Sequence, residues 1–358
     1  MQYCTRCVTP STRPRLIFNK DGLCSACQHH DRKMHKIDWT ARWGQLQWLC
    51  DRYRKPSGWD CIIPCSGGKD GSYVAWRMKR ELGMHPLCIT FAPQIQTYIG
   101  RQNLENFKAL GYDHIMLSPD PLLYRELAVK GFVEQGQPKM PFVAGISLAV
   151  FRYALALDVP FIVYGEEGEA EYGGAQNAEQ RITKDYLLKY YYDFGYERVK
   201  RAGTWWELPE GDYDKLYPTH FSKFAFWDPE EHARFAAKNC GLQMLVGGSI
   251  GTFTNYAQLD DVIQDLHAYL MFCKFGFGRA TSDASIEVRM GRMTRAEAVK
   301  VVNVVDGQFP LEYLPAYLDY FQMTGGEFWR IIARHTNLGV LHYTGRAERP
   351  YELNEAVR

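Results

Sequence analysis

The chain has 358 residues, 46% of them hydrophobic and 23% charged, with a net charge of +1 at neutral pH. These are the proportions of an ordinary globular protein of roughly two or three domains. So small a net charge leaves no global field to recruit nucleic acid. Cys4, Arg6 and Cys7 stand where a secretory signal would have its apolar stretch. Residues 141–165 are the most apolar run, but Arg152 and Asp158 interrupt it. A buried helix followed by a strand fits that run better than a bilayer span. The expectation is a cytoplasmic protein with no membrane or nucleic-acid partner.

Four of the ten cysteines open the chain as two CxxC pairs, Cys4/Cys7 and Cys24/Cys27, with positions 8–23 between them. In a reducing compartment such pairs point to metal rather than disulfides. Each pair puts two thiolates on one side of a tight turn, and two such knuckles make a tetrahedral sulfur cage. The spacing predicts a zinc ribbon over residues 1–35, with 15–18 as a strand of its hairpin. An iron–sulfur cluster is the rival occupant. A segment this short needs the metal's free energy to fold, about 10–16 kcal/mol in zinc-finger peptides. A closed four-sulfur site is structural. His29 and His30 then read as surface residues.

Next comes "PCSGGKDGSY", residues 64–73. A strand over 60–64 leads in. A helix from about Ser72 leads out, with Val74, Met78 and Leu82 on one face, and Gly83 ends it. Glycines let backbone N–H groups approach an anion, and a helix N-terminus adds its dipole. The loop therefore reads as a phosphate site. The common P-loop needs glycine where Ile63 stands and Ser or Thr where Asp70 stands. Ser66-Gly67-Gly68-Lys69-Asp70 followed by Ser72 instead resembles the PP-loop of the ATP pyrophosphatase superfamily, with Gly71 inserted before the serine. Cys65 reads as a strand-end residue.

Strands are predicted at 86–91, 114–117 and 160–164, with helices at 103–110, from Asp120-Pro121 to about 131, and at 145–158. This alternation predicts a doubly wound parallel sheet, whose ligands bind beyond the carboxyl ends of its strands. The last of these strands runs into "GEEGEAEYGG", residues 165–174. Glu166, Glu167, Glu169 and Glu171 would repel a polyphosphate unless a divalent cation or a cationic substrate intervenes. They are metal and substrate ligands or a solvated loop, and their place after a strand favours the first.

Residues 186–227 are crowded with aromatics, among them Tyr190, Tyr191, Tyr192, Phe194, Tyr196, Trp205 and Trp206. "GTWWELPEGDYD" has the Gly and Pro of a loop and reads as a lid or docking segment. An amphipathic helix carrying Leu259, Val262, Ile263, Leu266, Leu270 and Cys273 then runs into "KFGFGR". Lys274 and Arg279 there either hold phosphates or sit at the end of a glycine-stopped helix. Thr294 and Glu297 form a capping box, and a second helix covers 326–334. The predicted layout is a ribbon at 1–35, an ATP pyrophosphatase domain at 36–280 and a helical subdomain at 281–358.

With these motifs in place, the chain resembles the N-acetyl sugar amidotransferase family of surface-polysaccharide biosynthesis. The likeness covers about residues 3–328. It is carried by "YCTRCVTPSTRPRLIFNKDGLCSAC", the PP-loop, "YGEEGEAEYGG" and the stretch from Asp260, "DDVIQDLHAYLMFCKFGFGRATSDASIEVRMGRMTRAEAV". It implies conversion of an acetamido group on a nucleotide-linked sugar to an acetamidino group. ATP would adenylate the amide oxygen, and ammonia would displace AMP. It implies a partner glutaminase with an ammonia channel, resembling the two subunits of imidazole glycerol phosphate synthase. By that likeness Ser66, Gly67, Gly68, Lys69, Asp70 and Ser72 bind ATP, and Asp70 binds Mg²⁺. Lys69, Asp70 and Glu166 are catalytic, while Glu166, Glu171, Lys274 and Arg279 contact substrate.

Two rivals stand beside this reading. A tRNA sulfur transferase can also join a CxxC module to a PP-loop, but it needs further cysteines, and only Cys88, Cys240 and Cys273 follow the loop here. A zinc-bearing scaffold with a degenerate nucleotide site is the non-catalytic alternative.

Overall fold

A computed structural model describes residues 1–174 and 200–357. Tyr190, Tyr191, Tyr192, Phe194 and Tyr196 lie outside the described residues.

Two helices, α1 (Ser25–His35) and α2 (Trp39–Tyr53), precede the sheet. The sheet is built from β1 (Cys61–Pro64), β2 (Pro86–Phe91), β3 (Asp113–Leu117), β4 (Phe161–Tyr164) and β5 (Tyr217–His220). All five are parallel, in the order β3-β2-β1-β4-β5. The chain builds outward from β1 to β3, then returns to the other side of β1. The order therefore reverses between β1 and β4, and the crevice at their carboxyl ends is the switch point where such sheets bind ligands.

Alternation along the strands supplies both layers of the core. Ile62, Leu87, Ile89 and Ile162 face α5 (Pro121–Gln135) and α6 (Met140–Ala156). Cys61, Ile63, Cys88, Phe161 and Val163 share a core with α2, α3 (Lys69–Trp76) and, through Phe107, α4 (Tyr98–Lys108). A strand covered on both faces reads as a continuous apolar run, as these do. Among the described residues no helix is long and apolar enough to cross a membrane.

Several boundaries differ from those expected. Helix α3 begins at Lys69, three residues before Ser72, and a single π-turn, Arg77–Glu81, prolongs it. Residues 15–18 form no strand; the module is tied by isolated bridges, Tyr3 to Pro10 and Phe18 to Cys24. Its second cysteine pair straddles the start of α1, with Cys24 as the N-cap. The expected boundary at 280/281 falls inside a helix, Arg279–Arg289. Helices Val262–Phe275, Leu314–Phe321 and Gly325–His335 share one apolar core with Phe132 of α5. The two Trp residues of the expected lid point inward: Trp206 is buried and donates to Pro141 O at 2.8 Å, and Trp205 packs against the same core. Both capping boxes, at Thr294/Glu297 and Thr324/Glu327, are formed.

Candidate functional site

The loop after β1 is shaped by two close approaches. Gly67 has φ of +80°, and a Cβ there would lie 2.6 Å from the Leu104 backbone. Gly71, the inserted residue, sits in the first turn of α3, where a Cβ would meet Cys65 Cα at 2.9 Å and its Sγ at 3.0 Å. The insertion is thus accommodated because it has no side chain. Alanine normally improves a helix interior by about 1 kcal/mol over glycine. Gly71→Ala is expected to reverse that sign, destabilising the chain by about 1–3 kcal/mol through overpacking. Urea unfolding checks it, and a gain in stability would refute the close-packing account.

Beyond the carboxyl ends of β1 and β4 lies a cavity of about 300 Å³. Ser66, Gly68, Lys69, Asp70 and Gly71 form one side, and Glu166 and Tyr172 face them from the loop after β4. Arg279, Lys139, Tyr256 and Gln258 close it from the helical side. Gly68 is the N-cap of α3 and offers no capping side chain, so the first amides of the helix are left for a ligand.

Lys69 pairs with Asp70. Burial pushes the Asp70 carboxyl up, but the Lys69 charge and His232 outweigh it and hold the group below the usual carboxylate range. His232 Nδ1 lies 3.6 Å from Asp70 Oδ1, and its ring stacks on Tyr73 at 3.9 Å. Glu166 behaves oppositely. Burial and the Asp70 charge push its carboxyl up to about 7, against the pull of Lys69 and Arg279. Two carboxylates facing one cavity are thus driven apart, one anionic and one able to hold a proton near neutrality.

This sets a pH dependence. Between 4.5, the ordinary value, and about 7 the folded chain keeps a proton on Glu166 that the unfolded chain has released. Stability therefore falls as pH rises through that window. Glu166→Gln is expected to flatten this part of the curve, read as urea midpoints from pH 4.5 to 8. Identical slopes in both proteins would remove Glu166 as the source.

The other expected site residues divide. Arg279 lines the cavity, braced by Asp283 at 2.9 Å, which also accepts from Thr252 and Thr254. Ser72 is buried beside Cys65 and does not line the cavity, because the early start of α3 turns it into the helix interior. Gly67 shapes the loop from behind. Glu171 is not aimed at a ligand: both its oxygens bind Lys33 Nζ, at 2.8 and 2.9 Å, and His29 lies 3.7 Å away. Burial raises its carboxyl, but His29 and Lys33 bring it down to about 2. Lys274 points elsewhere, donating to Gln135 O and Gly136 O at the end of α5. It carries the helix-end role, with Gly276 as the left-handed C-cap.

Sequence reasoning missed Lys139, Tyr172, Tyr256, Gln258 and His232. The Asp228-Pro229 start of the helix Pro229–Cys240 was a legible N-cap signal that would have placed His232 on a helix.

The four cysteines form a candidate metal centre away from the cavity. All four are fully buried, and their sulfurs lie within 4.8 Å of one another. Cys4 and Cys27 are 3.8 Å apart, and Cys7 and Cys24 are 3.7 Å apart. A tetrahedral ion with sulfur at about 2.3 Å sets such edges at about 3.8 Å. The cage therefore fits one ion. Arg289 stands beside it and faces the charges of Cys7, Cys27 and Cys24. His30 is buried rather than on the surface, and burial with Arg289 lowers its basicity.

Among solved structures, the chain is similar to NMN synthetase from Francisella tularensis (16% identity, TM-score 0.29, 59% of this chain and 90% of that one). A predicted subunit of tRNA methyltransferase from Methanocaldococcus jannaschii aligns at 12% identity and TM-score 0.28, over 59% of this chain and 85% of that one. NH3-dependent NAD synthetase from Campylobacter jejuni aligns at 17% and 0.27, over 47% and 79%. These scores add nothing to what the strand order shows by itself. No curated protein matches the sequence. Residues 250–348 match the family model described as LPS biosynthesis protein WbpG-like, C-terminal domain, and this is the stretch that brings Tyr256, Gln258 and Arg279 to the cavity.

Proposed function

We propose that the protein is an ATP-dependent amidotransferase that turns an acetamido group of a nucleotide-linked sugar into an acetamidino group, in the cytoplasmic steps of lipopolysaccharide assembly. The observation that carries this is the meeting of a phosphate loop and a proton-holding carboxylate, Glu166, in one cavity at the switch point of the sheet. The WbpG-like match of residues 250–348 supports the polysaccharide setting.

An amide oxygen is a poor leaving group and AMP is a good one. The amide oxygen attacks the α-phosphorus and pyrophosphate leaves. Ammonia then adds to the imidate carbon, and AMP departs with the former amide oxygen. The open N-terminus of α3 binds the phosphates, and Lys69 neutralises charge as it develops on pyrophosphate. Asp70 Oδ1 is buried without a hydrogen-bond partner, 3.6 Å from His232 Nδ1, and Asp70 and Glu166 both line the cavity, a carboxylate pair that fits Mg²⁺. Bound there, the ion would screen the phosphate charge. Glu166 takes the proton that the attacking nitrogen sheds, and Arg279 steadies the anionic groups. Cys4, Cys7, Cys24 and Cys27 would hold zinc in a structural role. Neutral ammonia comes from a partner glutaminase through a channel subunit, which keeps water from the imidate.

Sulfur transfer is the weaker reading. Cys88, Cys240 and Cys273 are buried on three separate elements, and burial pushes each thiol up, away from the reactive thiolate.

The test is AMP and pyrophosphate release with ammonium present, across a panel of acetamido sugar nucleotides and, in parallel, bulk tRNA. Release that needs one sugar nucleotide, with NH replacing oxygen in the product mass, supports amidine formation. Release that needs only tRNA overturns it.

A further inference from the structure

The metal module and the cavity meet along one short segment, residues 166–174. On its inner side this segment presents Glu166 and Tyr172 to the cavity. Its own helix, α7 (Gly168–Tyr172), has five residues. A helix that short has too few hydrogen bonds to hold its shape alone. Its position must come from its neighbours.

Those neighbours are largely the module. Ser25 Oγ donates to Gly173 O at 2.6 Å. Gly173 adopts φ of +83°, and a Cβ there would lie 2.9 Å from Ala26 N and 2.7 Å from Leu16. Arg15 pairs with Glu169. Lys33, 2% exposed, spends its three donors on the two Glu171 oxygens and on Trp227 O at 3.1 Å. The Arg13 guanidinium lies 5.2 Å from the Tyr172 ring. These contacts hold residues 169–173, while at the other end of the segment Glu167 N–H donates to Ser222 Oγ at 3.0 Å.

We infer that the four-cysteine module positions the acidic wall of the cavity, with Ser25, Lys33 and Arg13 as positioning residues for Tyr172 and, through α7, for Glu166. Ser25 lies between Cys24 and Cys27. An ion held by those two sulfurs would fix the turn that carries the Ser25 hydroxyl, and the coupling to the cavity would run through the chain's own side chains. The inference requires only the cavity, whichever reaction occurs in it.

The experiment is hydrogen exchange on the full chain as isolated, comparing the peptide over 166–174 with that over β2. Within the segment, Glu171 N–H donates to Glu167 O at 3.0 Å and Gly174 N–H to Glu169 O at 2.7 Å, so both amides report on its order. Lys33→Met is expected to speed their exchange at least about tenfold while β2 stays protected. Ser25→Ala, a smaller change, should raise exchange in the same peptide only. Stripping the ion with a chelator should reproduce the Lys33→Met pattern. Unchanged exchange at 166–174 in either variant would overturn the inference. So would equal acceleration in β2, which would mean general loosening. Because exchange needs no turnover, failure of the amidation reading would show separately, as absent AMP release from a wild-type chain whose segment is ordered.

Discussion

Lys69→Ala is expected to lower turnover by about 10²–10³-fold, the cost of losing one donor aimed at developing charge. The size follows from the surroundings. Lys69 is the first residue of α3 and is only 11% exposed, so its charge acts in a partly dry cavity where electrostatic effects are large. The other cations that line the cavity are already engaged, Arg279 by Asp283 and Lys139 by Asp261. A second effect must accompany the first. The Lys69 charge is the chief force opposing burial at Asp70. Without it that carboxyl rises, and the acid limb of the pH–rate profile moves to higher pH. Lys274→Ala is the control, because that ammonium serves the end of α5 and not the cavity. It should leave turnover within about threefold, because the partners of that half-buried ammonium lie away from the cavity. Equal losses from both variants would sink the assignment of Lys69. So would full activity in Lys69→Ala.

The contrast between Glu166 and Glu171 shows what the sequence could not supply. Both lie in one acidic string after one strand, and the pattern gives no reason to separate them. Glu166 precedes α7 while Glu171 lies within it, and Glu171 is claimed by Lys33, 138 positions away in the chain. Long-range partners of this kind leave no local signature. β5 was missed for a different reason. Tyr217-Pro218-Thr219-His220 contains a proline, which cannot donate to a ladder and so argues against a strand. The strand is at the edge of the sheet, where proline is tolerated. The phosphate loop was legible because glycine and the strand–helix setting are local facts. The start of α3 was placed three residues late because Gly71 looked like part of the loop; its close approach to Cys65 shows why a helix carries glycine there.

Asp261→Ala is expected to cost about 3–5 kcal/mol, the range for breaking a buried ion pair from one side. Asp261 is fully buried and binds Lys139 Nζ at 3.1 Å. It also accepts from Ile95 N and Ile263 N, each at 3.1 Å, and so caps the helix Val262–Phe275 while tying it to the segment after β2. Alanine leaves an ammonium and three amides, those of Ile95, Ile263 and, at 3.4 Å, Gln94, without their acceptor, and each unsatisfied group carries its own penalty. Lys139→Met leaves a carboxylate still held by those amides, so it should cost less. Asp261→Asn keeps an acceptor for the cap and should fall between wild type and alanine. In the double variant the orphaned ammonium is gone, so Lys139→Met should recover part of the loss caused by Asp261→Ala. Lys139 also lines the cavity. Lys139→Met should therefore weaken ATP binding more than its modest instability explains. Urea unfolding of the four variants, with ATP titrated into Lys139→Met, decides the matter. A Lys139→Met cost equal to that of Asp261→Ala would show that the backbone amides do not hold Asp261. Strict additivity in the double variant would show that the two charges are not coupled.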